Sequence, residues 1–410
     1  MKRTIFFAVC CLVSIVSGCA NGHPIEVGAA SAVVSPPNGT CLAGYDHNRK
    51  STGVHDDLYA KAVVFDDGKT PLALVVVDSI GLQYPAVNAI RAEASKRVSG
   101  LDLPAERIVV QSTHSHMSPD VIGIYGPDEQ TTGYDQKYID LVVSNAADAV
   151  AQAAQRRQPA TLVYAQTQCV GWAVNDCEPA DLDNSVTVLQ ALDASGKSIA
   201  TLTNFACHPT VLDGDTSLVS ADWVGTFYKV MAAAVPGEHL FLQGAIGGWI
   251  QPIAPKRTFE QAEIYGKDLG EKTLAALDKT MPLNATDIRF AHKVFQVPVA
   301  NEGFKQLAAA KIIPRALGDT AETEVAWFAI GPAQFATEPG ETAPLYSREA
   351  QALMKTGPKF ILGLGLDELG YILKPDYFGG KYPHAEYLTS TSPGPQTGPV
   401  MMDALRQIIP

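Results

Sequence analysis

Short apolar runs broken by turn residues recur along the chain. Ala60–Phe65 and Leu72–Val77 flank Asp66-Asp67-Gly68, which predicts a β-hairpin. Val186–Leu192 and Ile199–Phe205 flank Ser195-Gly196, and Glu324–Ile330 and Ala333–Thr337 flank Gly331-Pro332, predicting two more. Arg107–Gln111 reads as a buried strand. Val87, Ile90, Ala94 and Val98 recur at helical spacing, as do Tyr138, Val142, Ala146, Ala149 and Ala153. Trp223–Ala234 and Phe259–Leu277 also read as helices. Hairpins mixed irregularly with helices predict an α/β fold, with mixed β-sheets covered by helices. No sequence repeat is visible, and a single folded body over residues 37–410 is expected.

The first residues follow a different grammar. Lys2 and Arg3 precede an apolar stretch from Ile5 to Val16, about the length of a signal h-region and too short to span a bilayer. Val16-Ser17-Gly18-Cys19 then resembles a bacterial lipobox, in which Cys19 is acylated. Residues 1–18 are therefore expected to be a signal peptide. Residues 19–36, rich in small side chains, are expected to be a lipidated tether. The expected location is the bacterial cell envelope, with attachment to the outer membrane through the lipid on Cys19.

Composition narrows the function. The 410 residues carry a net charge of −12, with 46% hydrophobic and 18% charged residues. That excludes intrinsic disorder, and the absence of a basic run argues against nucleic-acid binding. Of the cysteines beyond Cys19, Cys41, Cys169, Cys177 and Cys207 remain, with three possible pairings. Cys169 and Cys177 could bridge a short loop. No CxxC occurs, so a thiolate metal site is not expected.

Four polar clusters follow apolar segments. Arg107–Gln111 runs into His114-Ser-His116, whose rings would share one face of a strand. Asn204-Phe-Ala-Cys-His208-Pro209 ends another strand. Glu338-Pro-Gly-Glu341 follows a third, and Gly370-Tyr371-Ile372 follows a Gly-rich segment. Taken singly, these read as surface histidines, a core histidine, a solvated turn and a core tyrosine. Together they offer two histidines, one carboxylate and a further oxygen donor, a set that suits Zn²⁺.

The order of these motifs is similar to that of the neutral (alkaline, non-lysosomal) ceramidase family. The resemblance runs from about Gly44 to Pro399. It includes Gly44-Tyr45, Gly53-Val54-His55, Val75-Val-Val-Asp78, Thr113-His114-Ser-His116-Met-Ser-Pro119, His208-Pro-Thr210 with Ser220-Ala-Asp222, Pro339-Gly-Glu341 and Gly370-Tyr-Ile372. It implies the family's catalytic fold, here without its C-terminal β-sandwich, and zinc on His114, His208, Glu341 and Tyr371. It also implies His116 as a donor to a developing oxyanion, with Tyr387 as a further active-site group. The chain departs from the family at its Gly-Asp-Val-Ser-Pro-Asn run. Here Gln243-Gly-Ala-Ile-Gly-Gly-Trp249-Ile250-Gln-Pro252 stands, placing Ile250 near the family's serine. Asp176 stands where the family places an arginine.

The expected activity is zinc-dependent hydrolysis of an N-acyl amide, on a ceramide-like lipid. Another ester or amide substrate, or metal binding without turnover, is the alternative. Trp249 and Ile250 suggest an apolar wall suited to an acyl chain, or simple loop packing. Glu338 reads as a turn carboxylate, and His55-Asp56-Asp57 as a solvated turn. Asp222 reads as a carboxylate supporting a ligand histidine.

Overall fold

The computed structural model describes residues 25–410, so the signal segment and Cys19 lie outside the described residues. One order of elements occurs three times. In the first unit, β1 (Glu26–Val33), β2 (Tyr59–Asp66) and β3 (Leu72–Val77) form an antiparallel meander. Helix α1 (Tyr84–Arg97) then crosses over, so that β4 (Ile108–Ser112) joins β3 in parallel. Helix α2 (Gln136–Gln155) covers the sheet.

The second unit repeats this with β5 (Thr161–Gln168), β6 (Ser185–Leu192), β7 (Ser198–Phe205), the crossover helix α3 (Trp223–Ala234), β8 (Glu238–Gln243) and the covering helix α4 (Phe259–Leu277). Again the fourth strand pairs in parallel with the third. The third unit has β9 (Ile288–Pro298), α5 (Glu302–Ala309), β10 (Thr320–Ile330), β11 (Ala333–Glu338), the crossover helix α6 (Pro344–Leu353) and β12 (Lys359–Gly363), which lies parallel to β11. The short α7 (Ala385–Ser390) and the covering α8 (Thr397–Ile408) follow. The parallel edge strands β4, β8 and β12 meet one another.

Local chemistry explains the repeated start. Each of the three turns expected as a hairpin opens or closes one meander. The Asp67 carboxylate accepts from Lys69 and Thr70 N–H groups, and the Asp193 carboxylate from Ser195 and Lys197. These are Asx turns, which pre-form the reversal. The largest apolar cluster fills sheets one and two with α1 to α4. A second, around Trp327, Tyr346, Met401 and Leu405, sits between sheet three, α6 and α8.

Two expectations are corrected, for the tether and for Glu338, and the open cysteine pairing is answered. The tether expected up to residue 36 contains β1, which is largely buried between β2 and α2. Its small residues are a packing requirement: a Cβ on Gly28 would lie 2.1 Å from the Ala153 carbonyl of α2. Cys169 and Cys177 form no bridge, and all four cysteines among the described residues are free thiols. Glu338 is no solvated turn carboxylate: it is fully buried at the end of β11, accepting from the Ser347 hydroxyl at 2.7 Å. No helix among the described residues is long and apolar enough to cross a membrane.

Candidate metal centre

The candidate groups stand beyond the carboxyl ends of the parallel strands. This is where open α/β sheets place their ligands, because the loops there are free of ladder bonding. His114 and His116 follow β4, His208 follows β7, Glu341 follows β11 and Tyr371 follows β12. The structure therefore brings together residues from all three units.

Each imidazole is fixed through Nδ1. His114 Nδ1 lies 2.5 Å from the Ile80 carbonyl, His116 Nδ1 3.0 Å from Gly44 O, and His208 Nδ1 2.5 Å from Ile250 O. A carbonyl oxygen only accepts, so each Nδ1 carries the ring proton. In a neutral ring Nε2 then keeps a bare lone pair. Those lone pairs converge: His116 Nε2 is 3.0 Å from His114 Nε2, and Glu341 Oε2 lies 3.0 Å from His208 Nε2 and 3.5 Å from His114 Nε2. Acceptors facing acceptors repel unless a cation sits among them. Metal-ligating histidines are commonly oriented this way, by an Nδ1–H donated to a backbone carbonyl. The donor set therefore fits a divalent cation such as zinc, and the three histidines form a cluster able to hold a metal.

The electrostatics agree. Burial pushes the His114 and His116 imidazolium forms down to about 3, so both rings are neutral near pH 7. Burial alone would raise the Glu341 carboxyl, but His114 and His208 beside it reverse that and hold it below its ordinary value. Burial and the Glu341 charge push the Tyr371 phenol well up. Tyr387 is half-exposed. Its ring stacks on Trp249 at 5.4 Å and meets Tyr371 edge-on at 6.3 Å. Its hydroxyl is pushed up to about 12 by burial and Glu341.

Backbone strain gathers here. His114 (φ 72°), Trp249 (φ 63°), Leu364 (φ 51°) and Leu366 (φ 72°) occupy left-handed conformations that cost about 1–3 kcal/mol each. Gly44 (φ 94°) is required by contact as well, since a Cβ there would lie 2.4 Å from the His116 ring.

Several readings change in detail. Ile250 is fully buried in the core and offers the site only its carbonyl; Trp249 forms the wall, with Tyr387 and His384 against it. Asp222 does not touch the His208 ring. Its carboxylate accepts from Val211 and Leu212 N–H groups and shapes the loop after His208. His55 pairs with Asp56, which in turn accepts from Ser220 and Ala221, so this triplet braces the same loop. Two residues carried no motif. Glu368 is buried, and burial with the nearby Glu341 pushes its carboxyl well up. Tyr125 is likewise raised, by burial and by Tyr387, Asp120 and Glu341. Their sequence signal was only a polar residue amid apolar neighbours.

Comparison with known proteins gives the arrangement a lineage. In the solved neutral ceramidase from Pseudomonas aeruginosa the fold recurs with a TM-score of 0.74 at 16% identity, over 93% of this chain and 74% of that one. A ceramidase complexed with C2 gives a TM-score of 0.76 at 16% identity, over 94% of this chain and 75% of that one. Neutral ceramidases A and B of Dictyostelium discoideum are each 24% identical, over 207 and 214 residues. Those matches cover 46% and 48% of this chain but only 29% of either relative. Residues 26–245, more than half of the chain, match the N-terminal domain of the neutral/alkaline non-lysosomal ceramidases, and the chain belongs to that family.

Proposed function

We propose that this chain is a zinc-dependent hydrolase of an N-acyl amide, acting on a ceramide-like lipid. The observation that carries this reading is the convergence of three histidine Nε2 atoms and the Glu341 carboxylate, with each Nδ1 turned away to a backbone carbonyl. His114, His208, Glu341 and Tyr371 would hold the zinc. When bound, zinc supplies Lewis-acid polarisation of an acyl carbonyl and makes water more acidic.

The chain's own groups supply the rest. His116 Nε2 is an acceptor in the neutral ring, so it takes a proton from the attacking water. It becomes the donor expected from the motif only after that transfer, and can then pass the proton to the leaving amine. The Tyr387 hydroxyl, whose proton is retained far above pH 7, donates to the developing oxyanion. Trp249, stacked on Tyr387, presents an apolar face for an acyl chain. Tyr387 is the exposed member of the group, which sets the side from which substrate enters. With Ile250 buried near the family's serine position, the nucleophile is assigned to water rather than to a side-chain hydroxyl.

Metal content separates this assignment from a coincidental cluster. His208→Ala and Glu341→Ala should each lose stoichiometric zinc, and full retention in both would sink it. An activity panel of N-acyl sphingosine, short amides and esters then ranks the substrates; turnover confined to esters, or none with zinc bound, would overturn the amide reading. Envelope attachment through Cys19 is part of the same proposal. Its check is incorporation of labelled fatty acid, which Cys19→Ala should abolish.

A further inference from the structure

We infer that Gln243 is a positioning residue that sets the separation of His114 and His208. The inference rests on the reading of those histidines as metal ligands. Gln243 is the last residue of β8 and is fully buried. Its amide nitrogen donates to Thr113 O at 3.0 Å and to Cys207 O at 2.9 Å. Its amide oxygen accepts from Cys207 N at 3.2 Å and Gly244 N at 3.1 Å. Thr113 directly precedes His114, and Cys207 directly precedes His208. Both ligand-bearing segments thus hang from one amide nitrogen, although they belong to different units and no strand ladder joins them.

A second amide locks the first in place. Gln111 of β4 donates to the Gln243 carbonyl at 2.7 Å and to Gly363 O of β12 at 2.8 Å. At the junction of three sheet edges, side-chain amides do the work that a ladder does inside a sheet. All the hydrogen-bonding capacity of the Gln243 amide is engaged, and a primary amide alone offers two donors and an acceptor in one plane. An apolar replacement leaves Thr113 O, Cys207 O and Cys207 N without these bonds, Gly244 N keeping Phe205 O at 2.9 Å, and frees the two histidines to separate. Errors of this kind in the support of metal ligands typically cost about 10–100-fold in metal affinity.

The test uses the full chain stripped of metal. Zinc is titrated against a chromophoric chelator, and the visible spectrum is recorded with cobalt(II). Gln243→Met should weaken zinc binding by about 10–100-fold and alter the cobalt bands. Gln334→Met is the control for a merely structural loss. Its buried amide bridges Trp327 Nε1 and Thr356 O near the start of β11, away from the end that leads to Glu341. It should lower the melting temperature yet leave zinc affinity and the cobalt spectrum at wild-type values. Should Gln243→Met not fold, Gln243→Glu carries the test, because a neutral acid keeps the volume and one of the two donors. Unchanged zinc affinity in a folded Gln243 variant overturns the inference, as does an equal loss in Gln334→Met. If the wild type itself takes up no zinc, the metal assignment fails first and takes this inference with it, so the two failures are told apart.

Discussion

The side chains around the site show how far surroundings decide chemistry. His116 would be an ordinary imidazole on a surface strand. Here Gly44 O holds its proton on Nδ1 and burial keeps it neutral, the state from which the proposed mechanism starts it as a base. Glu338 and Glu341 sit three residues apart and are pushed in opposite directions. Glu341 is held low by two histidines, whereas burial without a positive partner pushes Glu338 up to about 7. For Glu338 the folded state therefore keeps its proton up to about pH 7, while the unfolded chain loses it near 4.5. Between those values the folded state binds more protons, so stability falls as pH rises. Glu338→Gln removes that dependence. Denaturant unfolding at pH 4 and pH 8 should show the variant gaining on the order of 2–3 kcal/mol relative to wild type between the two. Parallel pH profiles would refute the assignment.

Between elements, buried polar contacts tie the units together. Arg91 of α1 makes a bidentate pair with Glu324 of β10, at 2.6 and 3.0 Å, which joins the first unit to the third. Tyr84 and His292 bond the same carboxylate. Arg91→Met leaves that carboxylate to Tyr84 and His292, without its buried cation, and should cost about 3–5 kcal/mol in chemical unfolding. Adding Glu324→Met should recover part of the loss; a double variant no more stable than the single would count against the pair. Such contacts are invisible in sequence, because their partners lie far apart along the chain. The hairpins were legible, since Asp66-Asp67-Gly68, Ser195-Gly196 and Gly331-Pro332 carry their own turn chemistry. So were the stripes of α1 and α2 and the runs of α3 and α4. Strand β1 was not, because Glu-Val-Gly-Ala-Ala-Ser-Ala-Val reads as a flexible tether until α2 is laid against it. The site was legible as four motifs in order. Gln243, Glu368 and Tyr125 were not, because their partners come from loops remote in sequence.

Across the whole molecule the site belongs to no single unit. His114 comes from the first, His208 from the second, and Glu341 and Tyr371 from the third. A cation held among them therefore binds only the assembled chain, and by mass action must stabilise it. At free zinc 100-fold above its dissociation constant the gain is about 2.7 kcal/mol. Urea unfolding with zinc and with a chelator should differ by that amount, and identical curves would argue against a metal at this junction. The repeated order of elements has a temporal consequence as well. During synthesis the first two units can complete their sheets while two of the four proposed ligands do not yet exist. On the proposed function, a half-made chain would lack two of the four groups that hold the metal. On that reading competence would arrive with the third sheet, so hydrolysis would report that folding is finished.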